Sequence, residues 1–201
     1  MATLGVLLDY AGVGFFAASG ALAAVEKRQD VVTALFFAAL TGVGGGTLRD
    51  VLLGAPVFWV GDPGYVLVCA AAAVLLWLWP GRVNKAALLW MDALGLAAYA
   101  VVGAGKAFAL GFNAPVCVVM GVLTACFGGV LRDVVAEQPS VLLTREIYVT
   151  AALGAAFVDV ALLSLGAPRL AAIPIAIATG LGLRAGALIW NWRLPQATPR
   201  N

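Results

Sequence analysis

The stretch Thr41-Gly42-Val43-Gly44-Gly45-Gly46-Thr47-Leu48-Arg49-Asp50-Val51 returns later in the same chain as Thr124-Ala125-Cys126-Phe127-Gly128-Gly129-Val130-Leu131-Arg132-Asp133-Val134. Arg49 and Arg132 stand 83 positions apart. The same offset pairs Asp9 with Asp92, Gly12 with Gly95, Gly20 with Gly103, Pro56 with Pro139 and Tyr65 with Tyr148, with no gap between Asp9 and Tyr65. A bias toward alanine and glycine scatters chance matches, but it does not produce a shared Gly-Gly-x-Leu-Arg-Asp-Val with its flanks in register. The chain contains one unit twice, and internal repetition decides how the rest is read.

The solvent around that unit follows from composition. Of 201 residues, 63% are hydrophobic, 11% are charged, 24 are glycine and none is histidine. A soluble domain runs about 45–50% apolar and about 25% charged, and a chain of this length needs a polar surface that these residues cannot supply. An ordinary soluble enzyme and a nucleic-acid-coating chain are excluded, and the net charge of +2 points to no acidic partner. Cys69, Cys117 and Cys126 lie in apolar runs and read as small core residues, not as a disulfide framework or metal site. Without histidine, no zinc set or Cys-His or Ser-His-Asp constellation is available. The Gly-Gly-Gly-Thr run lacks the ending of a phosphate loop. No catalytic residue, metal or cofactor is expected.

A hydrocarbon core of about 30 Å needs about 20 apolar residues per helix, and seven segments qualify: 4–25, 31–54, 64–80, 86–105, 114–136, 146–166 and 168–190. Charged and turn-forming clusters separate them. The first carries Asp9 and no basic n-region, so it reads as a retained span and not as a signal peptide. One face of the membrane collects Lys27, Arg28, Arg82, Lys85, Arg145, Arg193 and Arg200; the other has Arg169 and Lys106. By the positive-inside rule the N-terminus is outside and the C-terminus cytoplasmic, with Trp190 and Trp192 as an interfacial anchor.

Each copy holds three spans, an odd number, so the second enters from the opposite side. The expected architecture is an all-α polytopic membrane protein forming a single domain, 1–201. It has two inverted three-helix repeats, 4–80 and 86–166, plus a seventh helix, 168–190. Inverted repeats place their sites near the midplane, commonly where helices are interrupted. Gly44-Gly45-Gly46 and Gly128-Gly129 are the expected interruptions, since each glycine weakens a helix by about 1 kcal/mol relative to alanine. Half-helices ending there would present unpaired carbonyls to a cation. The alternative use of these glycines is close helix packing.

Ionisable groups inside a span cost about 2.5–3.5 kcal/mol each on insertion scales and face a bundle interior or an aqueous path. Arg49, Asp50, Arg132 and Asp133 are read as lying well inside their spans, with the two aspartates in the first turn beyond each break. Neighbours on a helix point about 100° apart, so each member is expected to reach another helix. Asp9 and Asp92 are the candidate partners for the arginines. This network either fixes the helices or lines a pore. Lys106 has no counterpart, since position 23 is alanine; it reads as a gate or as a snorkelling interfacial lysine. Asp159 is a lone acid in the sixth span, near water, a cation or a hydroxyl of Thr150 or Ser164.

At the duplicated glycine and Arg-Asp motifs the chain resembles prokaryotic members of the trimeric intracellular cation channel (TRIC) family, bacterial members of which also carry the label of glycine transporter domain. The resemblance covers residues 4–190. It implies a homotrimer in the plasma membrane of a prokaryote, each subunit with its own pore between bent second and fifth helices. The implied activity is passive permeation of monovalent cations, chiefly potassium. It assigns the hinges to Gly44, Gly45, Gly46, Gly128 and Gly129 and the buried charges to Arg49, Asp50, Arg132 and Asp133. Phe127 replaces a hinge glycine, implying a milder or plugged second break, and the basic lipid-binding motif of animal members is not recognisable. With no potassium-filter run, modest discrimination between potassium and sodium is expected. The alternative is a secondary transporter of a small zwitterion such as glycine, an arginine taking the carboxylate and an aspartate the amine. A purely structural scaffold would explain the composition but not the duplicated breaks.

Overall fold

A computed structural model describes residues 2–79, 84–143 and 147–195, with side chains of 2–4 and 143 left aside. Among these residues the fold is seven helices and no strand: α1 Ala2–Glu26, α2 Val31–Leu52, α3 Gly64–Leu78, α4 Lys85–Ala109, α5 Ala114–Val135, α6 Val149–Ser164 and α7 Arg169–Trp190, with a short 3-10 turn at Val141–Leu143. Five are long and apolar enough to cross a membrane; α3 and α6, with 15 and 16 residues, are shorter. At 1.5 Å per residue these two reach about 23–24 Å, less than the expected spans 64–80 and 146–166.

Local chemistry at the helix ends obeys the 83-residue offset. Asp30 caps α2 by accepting from the Thr33 N–H at 2.8 Å, and Asn113 caps α5 by accepting from Val116 at 3.1 Å. The Thr33 N–H holds the Asp30 carboxyl below its ordinary value. α2 and α5 end in the same left-handed turn, with Gly54 at φ 64° and Glu137 at φ 50°. Ala55 N–H then donates to Asp50 O and Gln138 N–H to Asp133 O, both at 2.9 Å, a Schellman closure.

Packing is built on small residues. α1 lies against α2, α3 and α4; α4 lies against α5, α6 and α7; and α2 crosses α5. The contacts are reciprocal. A Cβ on Gly45 would collide with the Thr124 carbonyl, and one on Gly128 with the Thr41 carbonyl. A Cβ on Gly12 would press the Tyr99 ring, and one on Gly95 the Phe16 ring, whose centroids lie 5.5 Å apart. Because Thr41 meets Gly128 while Gly45 meets Thr124, α2 and α5 run antiparallel.

The glycine runs interrupt neither helix. α2 is continuous through Gly44, Gly45 and Gly46, and α5 through Gly128 and Gly129. This corrects the expected half-helices with exposed carbonyls: the backbone stays helical and the missing side chains let two backbones touch, which is how helices associate without a hydrophobic driving force. Phe127 plugs no break; its ring lines an apolar groove with α2 residues Phe36, Leu40, Val43 and Gly44.

Candidate functional site: two arginine–aspartate clusters

Arg49 and Arg132 lie in the last turns of α2 and α5, where a cation complements the helix C-terminus. This corrects their expected placement well inside the spans, and that of Asp50 and Asp133 at the start of a new half-helix. The two helices are antiparallel and touch at Gly45 and Gly128, four residues before each arginine. The two clusters therefore sit toward opposite ends, about 18 Å apart along the crossing.

Each cluster is built to one plan. Arg49 Nε donates to Asp50 Oδ1 at 2.7 Å, and Arg132 Nε donates to Asp133 Oδ1 at 3.0 Å with Nη2 adding a bond at 2.7 Å. The second carboxylate oxygen reaches forward to the following loop. Asp50 Oδ2 accepts from Phe58 N–H and Asp133 Oδ2 from Val141 N–H, both at 3.0 Å. Phe58 and Val141 are again 83 residues apart. Adjacent Arg and Asp pair with each other, because the guanidinium folds back along its long stem, but not only with each other: Arg132 and Asp50 also reach α4, through Asp92 and Lys106.

The clusters differ in what lies across the bundle. Arg132 Nη1 donates to Asp92 Oδ1 on α4 at 2.7 Å and to Ser19 Oγ on α1. The Tyr148 hydroxyl reaches the same Asp92 oxygen at 3.5 Å. Asp92 is therefore an arginine partner, as expected. Asp9 is not. Its Oδ1 has no hydrogen-bond partner, and neither have Nη1 and Nη2 of Arg49, which is fully buried. In place of that contact, Lys106 Nζ on α4 pairs with Asp50 Oδ1 at 2.8 Å. Lys106 lies within α4 and bridges the two copies, so the snorkelling reading is corrected. The Arg49 end is roofed by aromatic rings. The guanidinium lies 5.6 Å from the Phe58 centroid, Phe58 stands edge-on to Tyr65, and Tyr65 stacks on Tyr10, whose hydroxyl donates to Asp62 at 2.7 Å.

Asp159 is fully buried with neither carboxylate oxygen hydrogen-bonded, so the Thr150 and Ser164 hydroxyls do not serve it. One charged residue escaped sequence reasoning. Arg184 is fully buried on α7, 5.2 Å from the centroid of the Tyr148 ring. An arginine in the middle of the apolar segment 168–190 was the available signal, but the repeat offers no equivalent arginine, position 101 being valine. A small cavity of about 220 Å³ opens beside Arg132 and Asp133, lined also by Lys85 and Gln138. Among the described residues no group of three metal-ligating side chains forms.

Comparison with known proteins agrees with this geometry. A family model described as glycine transporter matches the chain twice, at residues 6–80 and 89–164. The inner membrane protein YadS of Escherichia coli strain K12, a UPF0126 protein, is 37% identical over 193 residues, covering 94% of this chain and 93% of YadS. The crystal structure of the TRIC orthologue from Rhodobacter sphaeroides is 44% identical and superposes with a TM-score of 0.91, covering 94% of this chain and all of that one. A further structure, described for conductance through TRIC cation channels, is 32% identical with a TM-score of 0.85, covering 97% of this chain and 98% of the other. With its twice-matched unit, its paired Arg-Asp clusters and a shared fold across nearly the whole chain, the protein belongs to the prokaryotic branch of the TRIC family, whose sequence model carries the description glycine transporter.

Proposed function

We propose that the protein is a channel for monovalent cations, chiefly potassium, with a path inside each subunit alongside α2 and α5. The observation that carries the reading is the 44% identity and 0.91 TM-score to the Rhodobacter TRIC orthologue. The charges are compatible with it: Arg49 and Arg132 each sit against the adjacent carboxylate, which offsets their charge toward a passing cation. Asp9, Arg49, Asp50, Lys106, Asp92, Arg132 and Asp133 form the charged network, and the glycines set how closely α2 and α5 approach. We infer homotrimers, since the orthologue is described as trimeric.

The repeats are assigned to 4–80 and 86–166, inverted relative to one another, with 168–190 added; the reciprocal glycine contacts and the twofold family match support this. The N-terminus is placed outside and the C-terminus in the cytoplasm of a prokaryotic plasma membrane. Lys27, Arg28, Lys85 and Arg193 support that orientation; Arg82, Arg145 and Arg200 lie outside the described residues. A planar bilayer holding purified protein under a potassium chloride gradient tests the function. Unitary current steps reversing near the potassium potential are expected. Saturable glycine uptake into liposomes without current steps would replace the channel by the zwitterion transporter.

A further inference from the structure

The two repeated aspartates carry different numbers of cations. Asp50 Oδ1 is paired with two, Arg49 Nε at 2.7 Å and Lys106 Nζ at 2.8 Å. Among the described residues Asp133 is paired with one, Arg132. The position 83 residues before Lys106 is Ala23, on α1. In one copy a lysine crosses from α4 to the aspartate of α2; in the other, α1 brings only a methyl group toward the aspartate of α5.

The room left by that difference is the cavity of about 220 Å³ beside Arg132, which Ala23 and Asp133 both line. Asp133 keeps 8% of its side chain exposed, while Asp50, covered by Lys106, keeps none. A water takes about 30 Å³ of liquid volume, so the cavity has space for a cation with several waters. Leucines of α4 make one wall apolar, which strengthens the pull of the Asp133 charge, and Gln138 adds an amide oxygen to the lining. Arg132 is engaged by Asp92 and Asp133, and Arg184 stacks on Tyr148 without lining the cavity. Lys85, exposed at the start of α4, stands at the mouth. The Lys106 ammonium shows what an aspartate in this setting accepts: a single positive charge on an oxygen it shares with a guanidinium. Potassium matches ammonium in charge and closely in size. Calcium takes about 6–8 oxygen ligands, more than one carboxylate and one amide beside an arginine provide.

We propose that this cavity binds a potassium-sized monovalent cation against Asp133, in the place that the Lys106 ammonium holds against Asp50. One copy of the unit carries its cation on a tether; the other takes it from solution, on the side that the proposed orientation makes cytoplasmic. As a stopping point for a permeant ion the site depends on the channel reading; as a binding site it does not.

Thallous ion, a heavy stand-in for potassium, tests the site in crystals of the intact protein soaked in thallous nitrate, where anomalous scattering locates it. The wild type shows a peak at Asp133. Ala23→Lys puts a tethered ammonium there, as Lys106 does at Asp50, and the peak is lost. Lys106→Ala keeps that peak and adds a second at Asp50. In detergent, melting in potassium chloride is compared at equal ionic strength with melting in choline chloride, whose methyl groups keep its charge off a carboxylate. Bound potassium raises the wild-type melt; the excess vanishes in Ala23→Lys and grows in Lys106→Ala. A wild type without the peak, or a peak and a potassium excess that Ala23→Lys leaves in place, overturns the proposal. If Ala23→Lys does not fold, Lys106→Ala decides, and no second peak at Asp50 overturns it. A peak at Asp133 in a protein that passes no current removes the channel reading and keeps the site; current without the peak does the reverse.

Discussion

Replacing Gly45 by alanine separates two uses of glycine through the sign of one number. If the glycines served to loosen the helix, alanine would restore propensity and stabilise the protein by about 1 kcal/mol. In this structure the new Cβ points at the Thr124 carbonyl, a backbone atom on another helix, well inside the closest approach real Cβ atoms show. A carbonyl cannot step aside as a flexible side chain can. Relief requires α2 and α5 to part by roughly 1 Å, a gap that forfeits a quarter to a half of the dispersion energy of the atoms facing across it. Overpacking of this kind costs about 1–3 kcal/mol and occasionally more. Set against the propensity gain of about 1 kcal/mol, the net loss is up to about 2 kcal/mol, or up to about 8 °C in a melt of a chain this long. Gly128→Ala, whose Cβ meets the Thr41 carbonyl, should behave alike. Gly182→Ala is the control, since nothing lies within 4 Å of its Cβ; it should melt higher. Thermal unfolding in detergent, followed by monodispersity and intrinsic tryptophan fluorescence, reads all three. A rise in melting temperature for Gly45→Ala and Gly128→Ala would refute the packing account and reinstate a hinge.

Asp50→Asn should destabilise by about 3–5 kcal/mol, because it removes the one carboxylate hydrogen-bonded to buried Arg49; in the same melt, Asp133→Asn should cost less, about 1.5–3 kcal/mol, since Arg132 keeps Asp92. Equal losses would show that Asp92 does not share the charge. Lys106→Gln should shift the melt by less than about 1 kcal/mol, its side chain being 30% exposed, while the single-channel conductance in a bilayer changes. A large stability loss with unchanged conductance would make the pair a plain staple. Capping gives a pH contrast. The Asp30 carboxyl is held below its ordinary value by the Thr33 N–H, so its contribution to stability is present above the ordinary carboxylate range and is lost as pH falls through the lowered value. Asn113 caps α5 without a charge. Acid melts should therefore close the gap between wild type and Asp30→Ala, and leave the gap between wild type and Asn113→Ala open.

Hydropathy made the seven helices legible, and the 83-residue offset made their pairing legible, because both are properties of residues in order. Contacts between copies were not. A glycine's freedom and its lack of bulk look identical in sequence; only the Thr124 carbonyl, distant in the chain, decides that Gly45 is there for its missing Cβ. The Arg49–Asp50 pair was obscured by treating side chains as short spokes, when an arginine stem is long enough to fold back on its neighbour. Lys106 reached Asp50 through a position whose counterpart is Ala23, so no periodicity announced it. Arg184 fell outside the duplicated unit, and a search tuned to repetition passed over it.

Duplication and function are separate signals here, and the helix ends show why. An arginine in the last turn answers the partial negative charge of that end. The aspartate after it holds the guanidinium with one oxygen and the amide of the next loop with the other, which ties off the helix where the chain must turn. Any sequence that terminates α2 and α5 in the same Schellman turn benefits twice from this device, whatever crosses the membrane. The duplicated Arg-Asp therefore explains the architecture. What architecture leaves unexplained is where the copies depart: Lys106 against Ala23, Asp9 without its arginine, Asp92 with one, and Arg184 with no equivalent. The unpaired Asp9 and the bound Lys106 make the Arg49 end chemically unlike the Arg132 end, so variants at the departures should move conductance more than stability, and variants at the repeated pairs the reverse.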